Sequence, residues 1–259
     1  SEGIKTKVPF IVDASDGILI GKELTSGWDK IDNEAFAAAS PAEIKIDMNG
    51  ATVVPLELLN GISERDVTCY FIMDDNVTWA VNGLSFTENI GGDVDFRVRM
   101  DTKNIPAQLI NEVADVYPHT NISLEHNGTF GFTAVMDLEL GDDKAGQYGN
   151  LYFYDEGAGG LEYVDASQIK DNGRAEFTFT HASDYTVIVR SDAMTEKTAG
   201  MQYTDDSASS GSGSGSLSGG AGVTKKKSHW WIILISVLCL LLCGMILFMP
   251  DRRARRGQP

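Results

Sequence analysis

The sequence predicts a mostly β protein, a two-sheet sandwich with two short helices, followed by one C-terminal transmembrane helix. Three observations carry this. Between Ser40 and Ser191 one short segment after another alternates apolar and polar residues, the period of a strand with one buried face. Residues that accept a positive φ separate those segments: Asp75-Asn76, Asn82-Gly83, Gly91-Gly92, Asn127-Gly128, Gly159-Gly160 and Asn172-Gly173. Near the end, twenty uncharged residues run without interruption from Trp230 to Met249.

Taken in order, the first forty residues differ in character from the β-patterned region after them. KVPFIVD and GILIGKEL are extended pieces, and Trp28 to Ala39 is an amphipathic helix. The chain opens SEGIKTKVPF with neither an initiator Met nor an apolar signal core, so either a signal has been removed or, the reading preferred, this is the C-terminal end of something longer. Residues 1–39 are therefore expected to be the end of a preceding domain and a connector.

The β module spans 40–191. Glu43 to Met48 puts Ile44, Ile46 and Met48 on one face. In Val94 to Asp101 the apolar Val94, Phe96, Val98 and Met100 alternate with Asp95, Arg97, Arg99 and Asp101; Phe130 to Leu140 keeps the same period. Further strands are expected at Val67 to Met73, Val77 to Phe86, Thr120 to Glu125, Asn150 to Asp155, Leu161 to Val164, Arg174 to Thr180 and Tyr185 to Arg190. Asn127-Gly128, between two alternating runs, marks a hairpin. Only Val54 to Gly61 and Ile105 to Asp115 look helical within the module, the second started by Asn104 with Pro106 in its first turn. About ten strands with one-sided apolar faces give an immunoglobulin-like sandwich.

Residues 192–229 form the next region. Its Gly and Ser, densest from Thr204 to Gly222, cannot bury apolar area to offset chain entropy, so a flexible tether is expected. Residues 230–249 then supply a helix of roughly 30 Å at about 1.5 Å per residue, the thickness of a bilayer core. Trp230 and Trp231 stand where an interfacial aromatic belt would, and Pro250 follows Met249. The tail 250–259 carries Arg252, Arg253, Arg255 and Arg256, against Lys225, Lys226 and Lys227 before the helix. With a ten-residue tail on one side and the bulk of the chain on the other, the large N-terminal portion is expected outside the cell and the Arg cluster in the cytoplasm. GGAGVTKKKSH contains no LPxTG-like pentapeptide, which argues against covalent wall attachment.

Charge agrees with an exterior location. Residues 225–259 hold seven of the 21 Lys and Arg and one of the 37 Asp and Glu, leaving 14 basic and 36 acidic residues in 1–224, a net charge near −22. That balance excludes nucleic acid as a partner, whose phosphates need a basic surface. The partner expected is the lipid bilayer, through the C-terminal helix, with polysaccharide or other cell-surface proteins as further candidates. Cys239 and Cys243 lie in the apolar stretch and only Cys69 precedes it, so no disulfide can form within the exterior part. The four histidines are scattered and no CxxC, HExxH or EF-hand loop occurs, so no metal site and no cofactor is signalled.

A group of motifs adds a resemblance. GWDKI (Gly27 to Ile31), IDMNGATVVPLELL (Ile46 to Leu59), FIMDDNVTWAVNG (Phe71 to Gly83), NIPAQLINEV (Asn104 to Val113), LYFYDEGAGGLEYV (Leu151 to Val164) and FTFTHASDYTVIV (Phe177 to Val189) look like a β module. It recurs near the C-terminus of large secreted or surface proteins of anaerobic Firmicutes, and the similarity covers about Gly27 to Arg190. What the resemblance implies is a module that accompanies catalytic, adhesive or carbohydrate-binding domains and has no firmly assigned chemistry of its own. Separately, His181-Ala182-Ser183 resembles the His-x-Ser/Thr sites of ZU5 and GAIN domains, which cut their own chain. There a His acts as general base and the hydroxyl attacks the preceding carbonyl, so the bond at issue is Ala182 to Ser183. The bland alternative is an ordinary turn with local hydrogen bonds.

Two other candidate sites stand beside it. Trp79, Tyr152, Tyr154 and Tyr163 can form an aromatic platform that stacks on sugars, or can fill the second sheet face or its edge. Asp74-Asp75 and Asp142-Asp143 are acidic pairs that read as solvated turns or loose calcium ligands. The expected function is a non-catalytic, membrane-anchored display module, with a self-cleaving module or a carbohydrate-binding adhesion domain as alternatives.

Overall fold

The structure, a computed structural model, describes residues 7–74, 76–126 and 128–195. Residues 196–229 of the expected tether, the apolar stretch and the Arg-rich tail lie outside the described residues, as do Asp75 and Asn127 of two expected turns; residues 192–194, expected in the tether, are held on the sheet by Asn150. Among the described residues no helix is long and apolar enough to cross a membrane.

The protein is mostly β, with three sheets and three short helices. Its elements are β1 (Phe10–Ala14), α1 (Trp28–Ala37), β2 (Ala42–Asp47), β3 (Val53–Val54), α2 (Leu56–Ile62), β4 (Val67–Ile72), β5 (Val77–Phe86), β6 (Val94–Asp95) and β7 (Val98–Met100). Then come α3 (Ala107–Ala114), β8 (His119–Leu124), β9 (Thr129–Glu139), β10 (Tyr148–Asp155), β11 (Gly160–Gln168), β12 (Arg174–His181) and β13 (Asp184–Arg190). One sheet has the order β1-β2-β4-β5-β9-β12, the second β11-β10-β13-β8-β7, and β3 pairs with β6 in a small ribbon. Pairing is antiparallel except between β2 and β4, where α2 lies in the crossover that a parallel pair requires.

The two large sheets share one core, which makes the architecture sandwich-like. Ile44, Ile46, Cys69, Phe71, Trp79, Val81, Phe132, Met136 and Phe177 from the six-stranded sheet join Ile122, Leu151, Tyr185 and Val187 from the five-stranded one. At Gly149 the sheets approach so closely that a Cβ would sit 2.7 Å from the Phe177 ring. A second cluster covers the other face of the five-stranded sheet: Ile105, Ile110, Val113 and Ala114 pack on Tyr152, Leu161 and Ile188. The central strand β13 is therefore buried on both faces from Tyr185 to Val189.

Residues 8–39 belong to this fold, which corrects the expected boundary at Ala39. β1 is the edge strand of the six-stranded sheet, paired with β2, and Ile11, Ile31 and Ala35 sit in the shared core. α1 rests on α2, with Phe36 against Gly61. Arg65 ties the two helix ends together: its guanidinium donates to Ala35 O and Gly61 O at 3.0 Å each and to Ala38 O at 2.5 Å. GILIGKEL is no strand; Leu24 and Thr25 donate to Gly21 O and close a turn that leaves Leu19, Ile20 and Leu24 exposed.

Two further differences have local causes. The expected single strand Val94 to Asp101 splits because Phe96 turns inward, its N–H donating to Thr52 O at 2.9 Å and its C=O accepting from the Trp79 indole at 3.0 Å. Asn82-Gly83 is no turn but lies inside β5. A Cβ at Gly83 would stand 1.8 Å from Ile62 O and 2.5 Å from Arg65 O, so glycine is needed there to seat the end of α2.

After β13 the chain is clamped to the outer face of the five-stranded sheet. Asn150, fully buried, accepts from the Met194 N–H at 2.6 Å and offers its amide to Ile188 O and Asp192 O at 3.3 Å each. The Tyr163 hydroxyl donates to Met194 O at 2.8 Å.

Candidate functional site

The His181 to Asp184 segment is the corner at which the chain leaves one sheet for the other, since β12 ends in the six-stranded sheet and β13 begins in the five-stranded one. Hydrogen bonds and a ring contact fix it. The Tyr185 hydroxyl donates to His181 O at 2.9 Å, Ala182 N–H donates to Gly128 O at 2.9 Å, and Leu124 N–H donates to Ser183 O at 3.0 Å. Both imidazole nitrogens of His181 lie within 3.4 Å of the same hydroxyl, and Phe153 meets the imidazole edge-on at 4.9 Å. Burial pushes the Tyr185 phenol well above its ordinary range, so it stays protonated and donating.

These contacts bear on chain cleavage. A general base has to reach the hydroxyl it activates. Among the described residues the imidazole of His181 has its polar contacts with the Tyr185 hydroxyl, and no hydrogen bond joins it to Ser183. The backbone from Thr180 to Asp184 includes no left-handed residue. Sequence reasoning found this segment as a motif; the structure places it as a corner whose polar groups hold the fold.

The four aromatic residues do not form one platform, which corrects the grouping expected from sequence. Trp79 is 1% exposed and lies between the sheets, ringed by Phe96, Phe130 and Phe179 at centroid distances of 5.2, 6.2 and 5.5 Å. The tyrosines lie on the opposite face of the five-stranded sheet, in the cluster under α3. Tyr152 is 1% exposed and meets Tyr163 edge-on at 5.8 Å, while Tyr154 and Tyr163 are half-buried. Alternation in Val77, Trp79 and Val81 already placed the indole on the buried face, where a satisfied N–H and a large apolar area belong.

The acidic pairs also resolve into turns where they are described. Asp74 accepts from the Asn76 and Val77 N–H groups at 2.8 and 3.1 Å, and Asp142 and Asp143 open a 3-10 turn beside Lys144. Asn121, first residue of an Asn-x-Ser triplet, uses its amide to donate to Thr102 O at 3.0 Å.

Sequence reasoning missed a cavity of about 550 Å³ at the same end of the sandwich as the corner. Its walls are the 88–93 segment, with Glu88, Ile90 and Asp93, and on the other side His126 and the 128–131 segment, with Phe130. His126 stacks on Phe130 at 5.4 Å, and Thr87 and Glu88 N–H donate to Gly131 O at 2.9 and 3.1 Å. The one signal for it was the glycine content of both segments, which read only as turns. No family model matches the chain, and no curated protein or solved structure does.

Two titratable groups lie away from this end. Cys69 is fully buried and its thiol is pushed up to about 12 by burial, with the Asp32 carboxylate nearby adding to it. Such a thiol is inert at neutral pH. Asp32, on α1, is the one buried carboxylate among the described residues; burial, then the charges of Glu57 and Asp29, raise it to about 6.

Proposed function

We propose that this chain is a non-catalytic display module, a β-sandwich joined by a Gly/Ser tether to a single C-terminal membrane helix, which holds other domains outside the cell. The observation that carries the reading is the run of twenty uncharged residues from Trp230 to Met249 behind the Gly/Ser segment. The large N-terminal portion faces outward and Arg252, Arg253, Arg255 and Arg256 face the cytoplasm. Kinship with the C-terminal β modules of Firmicutes surface proteins belongs to the same proposal and rests on the motifs quoted above.

The finer fold assignment is an immunoglobulin-like sandwich. It is supported by the tyrosine corner at Tyr185, where a phenol near the start of a strand bonds back to the backbone four residues upstream across a change of sheet. The parallel β2-β4 pair is a departure from the all-antiparallel pattern of that class.

The deciding experiment is fractionation of cells that make the intact polypeptide. The expected result is retention in the membrane pellet after carbonate extraction, with the β module digestible by external protease. Release into the carbonate supernatant would refute the reading.

A second reading, a carbohydrate-binding adhesion domain, is favoured by the cavity beside His126 and Phe130, whose volume of about 550 Å³ is in the range of small-ligand sites. Titration calorimetry with polysaccharides separates the two, because the display reading expects no heat.

A further inference from the structure

Three side-chain oxygens that are buried without a hydrogen-bond partner come from residues that adjoin one another: Thr102 Oγ1, Asn121 Oδ1 and Thr186 Oγ1. Asn121 on β8 and Thr186 on β13 are directly paired in register. Both lie on the face of the five-stranded sheet that α3 covers, since their neighbours Ile122 and Val187 point into the inter-sheet core while Ile188 joins the α3 cluster. Thr102 belongs to the segment that folds over this row. That segment is stitched down by Asp101 N–H to Asn121 O at 2.8 Å, Asn121 Nδ2 to Thr102 O at 3.0 Å, and Asn104 Nδ2 to Asp184 Oδ1 at 2.9 Å.

Rotating the Asn121 amide does not remove the difficulty. Thr102 O requires a donor, so the amide nitrogen must stay where it is and Oδ1 is left as the acceptor without a partner. A buried amide or hydroxyl left unpaired forfeits its hydrogen bonds to water with nothing in return, so three in one place call for a shared partner. The set comprises two hydroxyls, each able to donate and accept, and one acceptor-only oxygen. All three are neutral. That matches a water molecule, which takes two hydroxyl hydrogens and gives one of its own, better than a cation, which would need a carboxylate in the set.

We infer that an internal water bridges Thr102 Oγ1, Asn121 Oδ1 and Thr186 Oγ1 and pins the 101–106 segment to the outer face of the five-stranded sheet. The inference does not depend on the display function. Its test uses the sign of one substitution on the full chain. Thr186→Val puts a methyl where the hydroxyl was. With the water in place the variant strands Asn121 and Thr102, and the urea midpoint falls; without it the variant removes an orphan, and the midpoint rises. Water-to-amide cross-relaxation at the Asn121 side chain supplies a readout independent of stability. A cross-peak in the wild type and in Thr186→Ser, lost in Thr186→Val together with a lower midpoint, is the result expected. No cross-peak in the wild type, or a midpoint that rises in Thr186→Val, overturns it.

Discussion

The Tyr185 hydroxyl donates to the carbonyl of His181, four residues earlier, at 2.9 Å, across the point where the chain passes from one sheet to the other. The phenol ring meanwhile packs edge-on against Phe179 at 4.9 Å and beside Phe153 at 5.7 Å. Removing only the oxygen leaves that packing and strands a half-buried carbonyl. Tyr185→Phe is expected to lower unfolding free energy by about 1–2 kcal/mol, read from urea denaturation.

The same corner bears on chain cleavage, and a gel tests it. With His181 engaged by Tyr185, the chain is expected to run as one full-length band on a denaturing gel, unchanged in Ser183→Ala. Two fragments summing to the full mass in the wild type, and one band in Ser183→Ala, would restore self-cleavage at Ala182–Ser183.

Asp32 predicts a pH dependence of known sign. Its folded pKa of about 6 lies above the ordinary value of 3.8, so the folded state prefers the protonated form. The contribution to stability is fully present below the unfolded pKa and is lost as pH rises through about 6. Asp32→Asn is expected to differ little from wild type near pH 4 and to be more stable at pH 7 by on the order of 1 kcal/mol, less than the full shift implies because solvent screens part of it. Equal differences at both pH values would remove the carboxylate as the cause.

Arg65 closes the C-terminal ends of α1 and α2 with three donated hydrogen bonds. Arg65→Met keeps much of the apolar stem and loses the donors. A loss of about 2–3 kcal/mol is expected, with the helical circular dichroism signal falling before the β signal on heating. Coincident loss of both signals at an unchanged midpoint would show that the caps contribute nothing.

Gly83→Ala places a Cβ on top of Ile62 O. Relief requires moving backbone, so a cost above about 3 kcal/mol is expected in thermal melts. A variant as stable as wild type would mean that α2 shifts freely.

What the sequence made legible is what one buried face imprints on it. The Val77-Trp79-Val81 and Phe130 to Leu140 alternations marked β5 and β9, and α2 and α3 lie within two residues of where their periodicity and Pro106 put them. What stayed hidden depends on partners distant in the chain. β1 reads as an isolated extended piece because its partner β2 comes some thirty residues later, past α1. Gly83 reads as turn chemistry because nothing local says that the end of α2 rests on it. The platform failed for a similar reason: Trp79 and Tyr152 are both strand aromatics, and only the topology puts a sheet between them.

The exit of the chain at β13 has a mechanical consequence. β13 is laddered on both sides, to β10 and to β8, and the residues just after it are held by Asn150 and Tyr163. A pull along the chain beyond Thr195 would first load the Met194 clamp and then drag a central strand lengthwise, straining two ladders in parallel instead of peeling one bond at a time. Strand placement alone thus makes this end of the fold resistant to tension.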